Sequence, residues 1–73
     1  MSPADLRAAR AALGLSTAAF ARLVQVESGR TVRRWESGER DIPGPVAVLV
    51  GALVASADVR KFFGLTLDLA KAK

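Results

Sequence analysis

Residues 15–40 read LSTAAFARLVQVESGRTVRRWESGER, and the rest of the chain is best interpreted outward from them. Ser16 stands where a helix N-cap belongs, because a short hydroxyl can accept from the unpaired N–H groups of a first turn. Phe20, Leu23 and Val24 recur at i, i+3 and i+4, the one-face pattern of a helix. Ala18, Ala19 and Ala21 raise helix propensity, and Ala21 permits a close crossing. The next helix starts at or after Ser28, with Val32 and Trp35 three apart on its inner side and Gly38 at its end. Val26 plugs the turn between the two. This spacing predicts two short helices locked at a steep angle, with Arg30, Thr31, Arg33 and Arg34 facing outward from the second. A rigid helix bearing arginines suits the major groove, about 12 Å wide, where Arg pairs bidentately with guanine.

Upstream, Ser2 as N-cap, Pro3 at the first helical position and Asp5 in the first turn open a helix. Leu6, Ala9 and Leu13 share one face of it, and Gly14 supplies the left-handed C-terminal cap. Downstream, residues 39–44 form a polar loop flanked by Pro43 and Pro45. Residues 46–55 carry no charge on any face. Their β-branched content fits a buried strand, yet the chain holds no second strand of similar quality to pair with it. A helix entered through prolines is the better reading. A helix that is apolar all round must be covered all round, and 73 residues supply too little protein to do so, which points to a second copy. Asp58 is the expected cap of a short fifth helix with Phe62 and Phe63, closed by Gly64. Residues 65–69 alternate at period two and leave a short strand, a helix restart and a loose tail all open.

Composition narrows function further. The chain has 11 Lys and Arg against 7 Asp and Glu, a net charge of +4, with 51% hydrophobic and 25% charged residues. That is one small basic domain, too apolar for a disordered polybasic tail. With no cysteine, disulfides and thiolate zinc sites are excluded. With no histidine, the commonest general base and metal ligand are missing. The serines have no Ser-x-x-Lys partner, no two carboxylates stand at i, i+4, and no glycine-rich phosphate loop occurs. Catalytic residues, metal ligands and cofactors are therefore not expected. The N-terminus carries Asp5, Arg7 and Arg10 before any long apolar run, unlike a secretory signal. Residues 46–54 reach about half of the roughly 20 residues of a membrane span. A cytoplasmic protein without membrane contact is the expectation.

The motifs in residues 15–40 resemble the helix-turn-helix of phage Cro and lambda-repressor proteins, the Xre type. The resemblance rests on Leu15-Ser16 through Ala21, then Val26, then Thr31-Val32-Arg33-Arg34-Trp35-Glu36-Ser37-Gly38-Glu39-Arg40, and it spans residues 4 to about 55. Three departures stand out: Gln25 where the family usually has glycine, Thr17 where it often has glutamine, and one extra residue between Ala21 and Glu36. The resemblance implies an all-α, compact four- to five-helix bundle, residues 1–73 forming a single DNA-binding domain. The implied function is a sequence-specific transcriptional regulator, a homodimeric repressor on an inverted-repeat operator in double-stranded DNA. Arg30, Thr31, Arg33 and Arg34 would read bases, and Thr17, Arg22, Ser28 and Arg40 would contact phosphates. Residues 44–73 would also supply the dimer interface through Val50, Leu53, Val54, Phe62, Phe63, Leu65 and Leu67. Arg10 matches an arginine typical of the family's first helix, and the resemblance implies its partly buried ion pair with Glu36. The alternative is an antitoxin or phage regulator that controls its own operon and also binds a protein partner.

Overall fold

The computed structural model describes residues 1–71. Ala72 and Lys73, which the single-domain reading and the tail include, lie outside the described residues. Among the described residues the fold is all-α, with helices α1 (Pro3–Ala12), α2 (Thr17–Leu23), α3 (Gly29–Ser37), α4 (Gly44–Ala55) and α5 (Ala57–Phe62), then a 3₁₀ turn (Leu69–Lys71).

Local chemistry accounts for most of the boundaries. At α1, Ser2 Oγ accepts from the Asp5 N–H at 3.1 Å, and the Ser2 N–H donates to Asp5 Oδ2 at 3.1 Å. This is a reciprocal capping box with Pro3 at the first helical position. The backbone and hydroxyl of Ser2 hold the Asp5 carboxyl below its ordinary value. Gly14 then turns the chain at φ 71°, a left-handed conformation that glycine adopts without a Cβ clash. Ser16 Oγ caps α2 by accepting from the Ala19 N–H at 3.0 Å. Residues 24–28 join α2 to α3, and Gln25 at φ 61° is a non-glycine residue in the left-handed region. The Val26 N–H donates to the Ala21 carbonyl at 2.9 Å, which folds that side chain back against the core.

The core draws one face from each of four helices. Leu6, Phe20, Ala21, Val32, Trp35, Val46 and Val50 form one buried cluster, with Ala9, Leu15, Val24, Val26 and Ile42 partly buried around it. Each large apolar side chain so enclosed contributes about 1.5–3 kcal/mol. Arg10 braces the packing from the side. Its Nε donates to Glu36 Oε2 at 2.6 Å, its Nη2 to Glu36 Oε1 at 3.0 Å, and its Nη1 to the Leu15 carbonyl at 2.9 Å. One guanidinium thus ties α1 to α3 and to the chain entering α2.

The C-terminal third departs from the sequence expectations in two respects and fills in a third that they left open. Residues 46–55 are helical, but Val46, Val50 and Leu53 point inward at i, i+4 and i+7. Val50 and Leu53 are 0% exposed within one chain. They belong to the core and are not available to a dimer interface. The outward side of α4 instead presents Val48, 74% exposed. Second, α5 is capped by Ser56, whose Oγ accepts from the Val59 N–H at 3.3 Å, while Asp58 sits inside the first turn. Third, residues 65–68 form neither a strand nor a helix. They run back along α1, where the Asp68 N–H donates to the Ala12 carbonyl at 2.7 Å and satisfies a helix-end acceptor. The alternation of leucines follows from this docking, since Leu65 and Leu67 are half-buried and Thr66 and Asp68 are exposed. Among the described residues no helix is long and apolar enough to cross a membrane.

Candidate nucleic-acid interface

The two sides of α3 differ sharply in chemistry. Gly29, Val32 and Trp35 are buried, and Arg30 and Arg33 are exposed. The 3.6-residue repeat enforces this division: Arg30 and Arg34 lie one turn apart on the side away from Val32, and Arg33 sits beside them. Trp35 is 3% exposed, so its ring is committed to the core and cannot stack on a ligand.

The three arginines are not equivalent. Arg33 Nη1 donates to Thr17 Oγ1 at 3.2 Å, which leans its guanidinium toward the start of α2. Arg34 Nε pairs with Glu39 Oε2 at 3.0 Å and is only partly exposed. Arg30 forms no ion pair among the described residues. Arg33 is thus pre-oriented by a neutral hydroxyl that leaves its charge intact, whereas Arg34 is partly neutralised by a carboxylate in solvent. Exposed pairs of that kind are worth about 0.2–1 kcal/mol and weaken with salt, so Arg34 can exchange Glu39 for another anion at small cost.

The starts of α2 and α3 meet closely. A Cβ built on Gly29 would stand 2.9 Å from Thr17 Oγ1 and 3.0 Å from the Ala18 backbone nitrogen. Only a glycine fits there without a shift, and this close approach sets the position from which Arg30 and Arg33 project. Ser28, the N-cap residue of α3, makes no side-chain capping bond. Because Gly29 abuts Thr17, the N-terminal end of α3 lies beside the start of α2, where the helix dipole favours an anion.

The structure brings Thr17, Ser28 and Arg33 together where the start of α2 meets α3, with Arg30 and Thr31 in the first turn of α3 and Arg34 in its last turn. The Arg40 N–H donates to the Arg34 carbonyl at 3.2 Å, which places Arg40 just past the C-terminal end of α3. Arg22 is exposed in the last turn of α2, five residues and about 7.5 Å along the axis from Thr17. It stands apart from the cluster. Thr31 is half-buried and flanks the arginine side. Of the residues assigned to a dimer face, Val54, Phe62 and Phe63 are exposed, and Leu65 and Leu67 are half-buried. Glu39 and Gly29 escaped the sequence reading. Glu39 is five residues from Arg34 across the glycine turn, a separation that no helix-pair rule covers, and a glycine beside an N-cap reads as punctuation. Among the described residues no group of three or more Asp and Glu side chains could hold a metal ion.

Comparison with protein-family models, curated proteins and solved structures finds no match to this chain.

Proposed function

We propose that the chain is a sequence-specific DNA-binding transcriptional regulator in which α2 and α3 act as a helix-turn-helix of the lambda-repressor type. The observation that carries this reading is the two-sided α3, anchored by Gly29, Val32 and Trp35 and displaying Arg30 and Arg33, with Arg33 braced on Thr17. Nine residues make a rod of about 13.5 Å, and a helix about 10–12 Å across fits a groove about 12 Å wide. Arg30 and Arg33 read guanine edges. Arg34 exchanges Glu39 for a base or phosphate, and Thr17, Ser28 and Arg40 hold the flanking backbone.

The chain measures 31 × 24 × 20 Å and presents a single α3. Successive major grooves on one face of DNA lie about 34–36 Å apart. Two copies related by a twofold axis are needed to occupy both, so the operator is an inverted repeat and the protein a homodimer. Bound in the cytoplasm across promoter DNA, the dimer represses by excluding polymerase.

Selection of bound duplexes from a random pool tests the reading, because a recovered palindrome establishes activity, symmetry and half-site spacing together. Arg33→Ala should lose about 1–3 kcal/mol of discrimination at one base pair. Arg40→Ala should weaken all sequences alike and flatten the salt dependence. A pool that returns no enriched sequence, or an Arg30→Ala/Arg33→Ala variant with unchanged preference, refutes it.

A further inference from the structure

We infer that two copies of this chain lock together by reciprocal insertion of Phe62 into an apolar cavity between α1, the end of α4 and the C-terminal segment of the partner. The cavity has a volume of about 220 Å³ and is lined by Asp5, Ala8, Ala9, Ala12, Val54, Leu67 and Leu69. An enclosed apolar cavity of about 150 Å³ accommodates a benzene ring, so this larger, solvent-open cavity has volume enough for a phenyl side chain. No aromatic residue of the described chain lines this cavity. Phe62, at the end of α5 and between the cavity residues Val54 and Leu67 in the chain, is 83% exposed, more than any other large apolar side chain described. It is also held in place: Phe63 meets it edge-to-face, with ring centroids 5.1 Å apart at 82°. An unfilled hole and a braced, unburied knob on one chain are the two halves of an isologous interface, in which each copy supplies both.

Charge and area agree with a second copy as the occupant. Although a chain of net charge +4 repels a second copy overall, residues 42–57, which include Val54, form a charge-free run where that repulsion is least. A phenylalanine offers about 150–250 Å². With Phe62 83% and Phe63 38% exposed, complete coverage of both rings in both copies buries at most roughly 700–1,200 Å² across a twofold axis, the low end of what a specific interface needs. The interface replaces Val50 and Leu53 by Val54 and Phe62, and it rests on the homodimer reading above.

Sedimentation velocity on the full chain, with circular dichroism as the folding control, tests the lock. Wild type should be a dimer. Phe62→Ala removes the knob, Ala8→Leu fills the hole, and each should raise the dimer Kd at least about thirty-fold for every phenyl ring left unseated. Mixing the two variants should restore association in part, because Phe62 of the Ala8→Leu chain still enters the open cavity of the Phe62→Ala chain. A monomeric wild type, a Phe62→Ala variant that dimerises like wild type, or a mixture no tighter than either variant alone overturns the inference. Binding of the same proteins to a random-sequence duplex long enough for one protomer separates the two readings. If Phe62→Ala is monomeric and wild type binds no DNA, the lock stands and the DNA reading falls. If DNA binds and dimers persist in Phe62→Ala, the reverse holds.

Discussion

Truncating Arg10 to alanine should cost this domain about 3 kcal/mol, far more than a surface charge would. The guanidinium makes two bonds to Glu36, at 2.6 and 3.0 Å, and a third to the Leu15 carbonyl at 2.9 Å. The Arg10 and Glu36 side chains are only 18% and 9% exposed. An exposed pair is worth about 0.2–1 kcal/mol, whereas stranding one member of a buried pair costs about 3–5 kcal/mol. Residual solvent at Arg10 places the expectation at the lower end of the second range. Against a total stability of roughly 4–11 kcal/mol for 73 residues, that is a large fraction. At about 4–8 °C per kcal/mol, the melting temperature should fall roughly 12–24 °C. Trp35, the single tryptophan, is buried in α3 next to Glu36 and reports urea unfolding by fluorescence. The decisive arm is a double-mutant cycle. Arg10→Met with Glu36→Leu leaves no charge stranded and should lose less than either single variant. A single-variant loss under about 1 kcal/mol, or additivity within about 0.5 kcal/mol, would show that the pair behaves like a surface pair and that α1 and α3 are held by packing alone.

Three further outcomes follow from backbone and capping geometry. Gln25→Gly should stabilise the domain by about 0.5–1 kcal/mol in urea melts, since the left-handed φ of 61° costs a side-chain-bearing residue about 1–2 kcal/mol and glycine's extra unfolded-state entropy returns part of that; a loss of stability would contradict this. Gly29→Ala should destabilise by about 1–3 kcal/mol through overpacking on the Ala18 backbone and should weaken DNA binding by moving Arg33 off Thr17; wild-type melting and binding would mean that the close approach is unimportant. Because folding lowers the Asp5 pKa, the unfolded chain holds that proton more tightly. The contribution of Asp5 is therefore fully present above its ordinary value of 3.8 and is lost as the pH falls through the folded value. Asp5→Asn should flatten the acid side of the stability profile, and an unchanged acid limb would assign that limb to other carboxylates.

Signals that act within a few residues were legible in the sequence. Ser2, Ser16, Gly14 and Gly38 mark helix ends because caps and left-handed turns depend on immediate neighbours, and each acts as such in the structure. Val32 and Trp35 were readable as core from their spacing against a polar background. Asp58 shows the limit of that logic: Ser56 two residues earlier takes the cap, and both are good cap residues. The Arg10–Glu36 pair joins residues 26 positions apart, so no local pattern announces it; it came from the family resemblance.

Sequence alone thus determined five helices' worth of local order, a basic outward side on α3 and a charge-free α4. Tertiary structure decided which side of α4 is inward, because ten apolar residues in succession carry no contrast by which to tell Val48 from Val50. It also decided the path of residues 65–68 along α1, the exposure of Phe62 and the bracing of Arg33 by Thr17. Each of these depends on which distant surface a residue meets, and hydrophobic attraction, being non-directional, leaves that choice to the packing of the whole chain.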